Sequence, residues 1–276
     1  MRVSVPVLAL AFGSLAAAAP NAGRRTCGSV PPPEFFEASE KVAALEESGA
    51  FADLQAPIEV ETYFHVVASS RSERDGYISD QMLSDQIRVM NEDYAPHGVH
   101  FNLRETTRTI NPSWASDGNE IAMKRSLRKG GYAALNVYFL KDLGGALGYC
   151  YFPTNAAPGS TTFIRDGCSV LSSSVPGGSG APYDLGKTAT HEVGHWMGLF
   201  HTFQGGCSGQ GDYVSDTPPQ RSPSSGCPVG RDSCPGGGVD PIHNYMDYSV
   251  DSCMNQFTRG QGTRMSSMWR QFRAGK

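Results

Sequence analysis

The sequence predicts an α+β domain: a mixed, twisted sheet with helices packed on it, over a loop-rich lower half braced by disulfides. Three observations predict this. From Pro57 to Phe203, short β-rich runs alternate with stretches of helical spacing in the order strand, helix, strand, helix, strand. After Phe203 the texture changes to Gly, Pro and four cysteines, Cys207, Cys227, Cys234 and Cys253. That loop has little apolar material of its own, so crosslinks must compensate. A closing helix then presents Met265, Met268, Trp269 and Phe272 on one face.

The first residues set the compartment. Arg2 precedes a mostly apolar run from Val3 to Ala19, with small residues at Ala16 and Ala18. This reads as a secretory signal over residues 1–18. It is too short and too rich in alanine for a comfortable membrane anchor, and no later run approaches ~18 apolar residues. An exported chain is oxidised, so its cysteines read as disulfides by default. There are seven. Six can pair, and the seventh must be free, intermolecular or a ligand. The formal net charge of −4 offers no basic field for a nucleic acid or an anionic membrane. A monomer is expected.

Residues 19–56 read as a pro-segment or leader, broken by Pro31-Pro32-Pro33, with one helix from Glu34 to Gly49 and a dibasic candidate processing site at Arg24-Arg25. The main domain, residues 57–276, opens with the alternating strand Ile58 to Val67. Met82, Ile87, Val89, Met90 and Tyr94 mark a helix that Ser79 can cap. Val99 to Arg104 alternates as a second strand. A short basic helix around 119–129 carries Lys124, Arg125, Arg128 and Lys129, a solvated face rather than a binding patch, and Gly130-Gly131 ends it. Ala134 to Leu140 is a buried strand; Leu147 to Phe152 and Thr161 to Leu171 read as two more. Pro182 and Asp184 open a helix running to about Met197, and the last helix spans about Gly260 to Arg273.

The chemistry concentrates in His191-Glu192-Val193-Gly194-His195-Trp196-Met197-Gly198-Leu199-Phe200-His201. His191 and His195 are four apart and share one helix face, where two imidazoles can bind one Zn²⁺. Glu192 lies about 100° round the helix, too far to be a third ligand but able to hydrogen-bond a water at an open zinc site. His201 would point elsewhere on a continuous helix. Gly198 can take the left-handed conformation that ends a helix, and the chain then turns His201 back toward the metal. Three histidines plus water form the open pattern of catalytic zinc. The alternative, core histidines with satisfied ring nitrogens, must explain five fixed residues at the right offsets on one predicted helix.

This motif resembles that of the metzincin metalloproteases. Asn244-Tyr245-Met246-Asp247-Tyr248-Ser249 resembles their Met-turn. His201-Thr202-Phe203, the segment Asp212 to Pro218, and Asp251-Ser252-Cys253-Met254 with Phe257-Thr258 and Gly260-Gln261 are similar to the pappalysin-type family, in particular its compact secreted fungal and archaeal members. The resemblance spans about residues 57–273 and is dense from Leu185 onward. It implies a metzincin-like fold with an upper subdomain to about residue 201 and a lower one from 202, meeting at a zinc cleft. It implies His191, His195 and His201 as zinc ligands, Glu192 as general base, Met246 as an apolar floor, and Tyr248 as a hydrogen-bond donor to the tetrahedral intermediate. The implied substrates are proteins or peptides, paired in extended form with an edge strand around Gly148 to Phe152.

The resemblance further suggests disulfides Cys207–Cys234 and Cys227–Cys253. Cys150 and Cys168 remain, and their flanking strands allow a third pair. Cys27 is left alone in the leader. A thiolate is a strong zinc ligand, so Cys27 is read as a cysteine switch that silences the precursor; a leader cysteine that never meets metal is the alternative. Asp212, Asp216 and Thr217 sit in a Gly-rich loop as candidate Ca²⁺ ligands, a position the resemblance supports, against a plain solvated acidic loop. Asp251 suggests a pocket for a basic side chain. Two other functions stay open: a zinc-binding module without activity, which would have no use for Glu192, and a zinc exopeptidase, for which no extra charge near the helix announces capture of a chain end.

Overall fold

The computed structural model describes residues 24–50 and 56–276; the signal segment lies outside the described residues. Five strands form one sheet in the order β2-β1-β3-β5-β4: β1 Ile58–Ala68, β2 Val99–Ile110, β3 Leu135–Leu140, β4 Gly148–Cys150 and β5 Cys168–Leu171. β4 pairs antiparallel with β5, while the other pairs are parallel. The central β3 is buried along its whole length, as its unbroken apolar run requires. The expected mixed sheet with packed helices is therefore borne out, and β4 is an edge.

The helices are α1 Pro33–Glu47, α2 Asp80–Tyr94, α3 Pro112–Ala115, α4 Glu120–Leu127, α5 Thr161–Arg165, α6 Lys187–Trp196 and α7 Arg259–Phe272. Ser79 caps α2 by accepting the Met82 N–H. Thr258 and Gln261 close a reciprocal capping box at the start of α7. The core between sheet, α2, α6 and α7 gathers Phe64, Val66, Leu83, Met90, Tyr94, Phe139, Val193, Trp196, Met246 and Met265.

Several elements differ from the sequence expectation: α6 begins at Lys187 rather than at Pro182 or Asp184, and Lys124 on α4 is buried rather than solvated. Thr161 to Leu171 is not one strand. Ser160 accepts the Phe163 N–H and starts the short helix α5, and Gly167 at φ +107° turns the chain before β5 begins. The local cap outweighs the β-rich composition of Thr-Thr-Phe-Ile. Strand β2 also runs on past Arg104 to Ile110, because β1 supplies a partner for its whole length across one irregularity opposite Thr62/Tyr63.

Two buried ion pairs tie distant elements together. Arg273, just past α7, donates to both oxygens of Asp166 at 3.1 and 2.9 Å, and its guanidinium lies over the Trp196 ring at 3.7 Å. This bidentate pair fixes the end of α7 to the residue that closes α5, and Trp196 at the end of α6 contacts both partners. Arg264 on α7 binds Glu46 of α1 at 2.9 Å. Phe35 of α1 meets Phe152 and Phe200 in a separate aromatic cluster that includes Phe272. Helix α1 is thus seated on the rest of the described chain through both apolar and charged contacts.

Candidate active site

Helix α6 carries His191, Glu192 and His195, all buried. Gly198 at φ +96° ends it, with the Gly198 N–H donating to the His195 carbonyl and the Leu199 N–H to that of Gly194. The turn brings His201 back beside the other two. His195 Nε2 stands 3.3 Å from His191 Nε2 and 3.1 Å from His201 Nε2.

The Nε2 atoms of His191 and His195 do not hydrogen-bond each other. His191 Nδ1 lies 2.6 Å from the Tyr245 carbonyl and His195 Nδ1 2.7 Å from the Leu199 carbonyl. A carbonyl only accepts, so each Nδ1 carries the proton and each Nε2 presents a lone pair. Burial and the neighbouring imidazoles push the pKa of His191 and His201 well down, and burial lowers that of His195 to about 4, so all three are neutral. Converging lone pairs repel unless a cation lies among them. A tetrahedral centre with Zn–N distances of ~2.0–2.1 Å would set its ligands about 3.3 Å apart. The donor set fits a metal.

Glu192 lies beside this cluster under the edge strand. Burial raises its pKa to about 7. Its Oε2 accepts from the Ser29 hydroxyl at 3.0 Å and the Cys27 thiol at 3.2 Å. Cys27 Sγ and the nitrogens of His191, His195 and His201 all fall within 4.8 Å of one another. Burial and the Glu192 charge push the thiol's pKa up in this arrangement. The Tyr248 hydroxyl accepts the Cys27 N–H at 3.1 Å, and its ring stands 5.1 Å from that of His201. Met246 is fully buried beneath α6, against Gly194, where any added Cβ would strike its sulfur.

Residues 26–29 lie extended along β4, over the histidine cluster. Leu147 N–H donates to Thr26 O and Gly28 N–H to Gly148 O, both at 2.8 Å, and Cys27 bridges Gly148 in parallel. Ser29 Oγ accepts the Cys150 N–H at 2.8 Å. Arg25 fills a pocket beyond: its guanidinium pairs with Asp251, reaches Thr188 Oγ1 at 3.4 Å and lies over the Tyr183 ring at 5.0 Å. Asp251 is held by the Leu185 N–H at 2.9 Å. Burial raises the Asp251 pKa and the Arg25 charge opposes that rise.

The Arg24-Arg25 processing reading does not survive this geometry. Arg25 is only 2% exposed, so a protease that reads its side chain cannot reach it in the folded chain. Sequence reasoning also missed Ser29, whose contact with Glu192 spans 163 positions and leaves no local signal.

The family model Peptidase_M43, pregnancy-associated plasma protein-A, matches residues 179–269. An extracellular metalloprotease of Uncinocarpus reesii is 67% identical over 274 residues, covering 99% of both chains. One of Colletotrichum graminicola is 63% identical over 273 residues, covering 97% of this chain and 98% of its own. The chain belongs to the extracellular metalloprotease family. Among solved structures, mature mirolysin of Tannerella forsythia in complex with a cleaved peptide matches with a TM-score of 0.63 and 30% identity, over 78% of this chain and 92% of its own.

The remaining candidate sites of the metalloprotease are its cysteines and its loop carboxylates. Disulfides join Cys207 to Cys234 and Cys227 to Cys253, and a third joins Cys150 on β4 to Cys168 on β5. Cys27 is the free thiol among the described residues. His243 lies beside Cys227 and Cys253, but both sulfurs are spent in their bridge. Asp212 Oδ1 accepts the Val214 N–H, and Asp212 Oδ2 and Thr217 Oγ1 are buried, with the Thr217 hydroxyl close enough to Asp212 to oppose the rise of its pKa. Burial raises the Asp212 pKa to about 7. Asp216 instead accepts from the Thr258 hydroxyl at 2.7 Å and the Gly260 N–H at 2.8 Å, at the first turn of α7.

Proposed function

We propose that this metalloprotease is a secreted zinc endopeptidase, held silent as a precursor by its own leader. The observation that carries the reading is the set of three converging imidazole Nε2 atoms beside Glu192, directly under an edge strand. Bound zinc supplies a Lewis acid for a peptide carbonyl and lowers the pKa of water. His191, His195 and His201 hold it, and their Nδ1 hydrogen bonds keep the rings oriented. Glu192 takes a proton on Oε2, the oxygen to which Cys27 and Ser29 donate in the precursor, and returns it to the leaving amine. Tyr248 donates to the oxygen of the tetrahedral intermediate, and Met246 floors the site.

The leader marks what a substrate uses. An extended peptide would take the Leu147 N–H, Gly148 carbonyl and Cys150 N–H that Thr26, Gly28 and Ser29 occupy, a strand addition to β4. The Asp251 pocket, filled by Arg25, favours a basic residue immediately after the scissile bond. Residues 19–56 act as the leader and 57–276 as the catalytic domain, with the cleft between halves meeting near residues 201 and 202. Asp212 and Thr217 are the stronger calcium candidates, since their side-chain oxygens are buried close to each other and Asp216 is engaged at α7. Added calcium should raise Tm; no rise would remove this site.

The deciding experiment incubates the activated protein with an unstructured protein substrate, with and without a zinc chelator, beside Glu192→Ala. Internal cleavage that both treatments abolish is expected. Trimming only from chain ends would mark an exopeptidase, and cleavage that survives Glu192→Ala would overturn the general-base role.

A further inference from the structure

We infer that Asp93, at the end of α2, is a positioning residue for the metal site, acting through Tyr245 and Thr190 on the orientation of His191; this rests on His191 being a zinc ligand. Asp93 is 7% exposed and remote in sequence from the motif, yet its carboxylate joins the two segments that grip that histidine. Asp93 Oδ1 accepts from the Tyr245 hydroxyl at 2.7 Å and from Lys187 Nζ at 2.7 Å. Asp93 Oδ2 accepts from the Thr190 hydroxyl at 2.6 Å. Lys187 and Thr190 both lie on α6, and Thr190 immediately precedes His191. Tyr245 immediately precedes Met246, and its backbone carbonyl receives the His191 Nδ1–H at 2.6 Å.

The consequence is geometric. The His191 tautomer and ring plane are set by one carbonyl, and that carbonyl belongs to a residue in a loop without regular secondary structure. A loop carbonyl orients a ligand only as well as its residue is anchored. Tyr245 is anchored at its far end, where its hydroxyl meets the same carboxylate that holds Thr190 on the helix. Distance between the Met-turn and α6 is thereby fixed on both sides of His191. The neighbouring Tyr94 hydroxyl adds a bond to the Thr190 carbonyl at 2.8 Å, which keeps α2 registered on α6. A buried carboxylate costs stability unless it is fully partnered. Three donors here meet that need, and their arrangement places the ionic group where it holds a ligand-orienting residue.

The test measures zinc affinity of the full secreted chain by chelator competition, alongside Tm of the zinc-free form. The variants are Asp93→Asn and Tyr245→Phe, with His191→Ala as control. Loss of an outer hydrogen bond to a metal ligand commonly weakens metal binding by about 10–100-fold. Since Asp93 acts one residue further out, a loss of about tenfold is expected for Asp93→Asn, with Tyr245→Phe weaker in effect and in the same direction. The double variant should be no worse than Asp93→Asn alone, because both break one path. Should Asp93→Asn fail to fold, Tyr245→Phe removes only a hydroxyl and carries the test by itself. Zinc affinity equal to wild type in the variants, with a lowered zinc-free Tm and with His191→Ala losing zinc, would overturn the inference and leave Asp93 as a structural anchor. A wild-type chain that binds no zinc would overturn the site and the inference together.

Discussion

At the residue scale, Glu192 depends on an absent side chain. A Cβ added at Gly148 would come within 2.6 Å of Glu192 Cγ and 2.9 Å of its Oε1. Real Cβ atoms do not approach so closely, so Gly148→Ala must displace either the carboxylate or the edge strand. The Cys150–Cys168 bridge holds the strand at its other end, which leaves Glu192 to move. Misplacing a catalytic group by about 1 Å can cost about a hundredfold in rate. Gly148→Ala should therefore lower kcat/KM by about a hundredfold while zinc content stays at the wild-type level. Near-normal activity would show that the carboxylate has more freedom than this packing allows.

At the element scale, β1 is pinned to both neighbours by one buried histidine. His65 reaches Asn136 Oδ1 on β3 at 2.9 Å and Thr107 Oγ1 on β2 at 2.8 Å, and stacks on Tyr138. The Asn136 amide nitrogen donates to Lys129 O, so Asn136 Oδ1 is an acceptor; His65 donates from Nε2 and accepts at Nδ1. The ring is neutral, and burial lowers its pKa to about 4. In the unfolded chain it returns to ~6.5. Below ~6.5 the unfolded state thus binds the extra proton, so stability falls with pH until the folded ring protonates near 4. The full shift corresponds to roughly 3 kcal/mol. Wild-type Tm should drop steeply between pH 6.5 and 4, and His65→Phe, less stable at neutral pH, should show a shallower drop; parallel curves would refute the assignment. The same strand shows what the sequence makes legible. The β1, β3 and α6 patterns are periodic and local, and so is the motif from His191 to His201, whose one non-helical step is marked by Gly198. The α5–β5 boundary was hidden because a single serine cap overrides a β-rich run. Arg25 on Asp251, Ser29 on Glu192 and Asp93 on Tyr245 were not legible, because each is a contact between residues at least 152 positions apart.

At the scale of the whole molecule, the proposed leader, residues 24–50, and the rest of the described chain form one interlocked unit with a direction. In a substrate whose residue after the scissile bond enters the Asp251 pocket, the chain passes the metal first and the pocket second. In the leader the order is reversed, since Arg25 fills the pocket and Cys27, two residues later, faces the histidines. On the proposed reading, the leader therefore runs opposite to a substrate and would present its thiol, rather than a scissile carbonyl, to a metal held by the three histidines. The proposed latency rests on two anchors. Removing one partner of a buried, hydrogen-bonded charge pair typically costs about 2–5 kcal/mol, so Arg25→Ala should loosen the leader by at least about tenfold. Cys27→Ala removes the thiol while Arg25 stays seated. Each single variant should raise the activity of the uncleaved precursor only partly, and Arg25→Ala with Cys27→Ala should approach the mature enzyme. The reversed direction adds a sharper expectation: in the Cys27→Ala precursor, mass spectrometry should find the peptide bonds between Arg25 and Ser29 intact even as added substrate is cleaved. Cuts within that stretch made by the same molecule would mean that the leader can bind as a substrate does. A Cys27→Ala precursor as latent as wild type would show that Arg25 and the helix α1 suffice without the thiol.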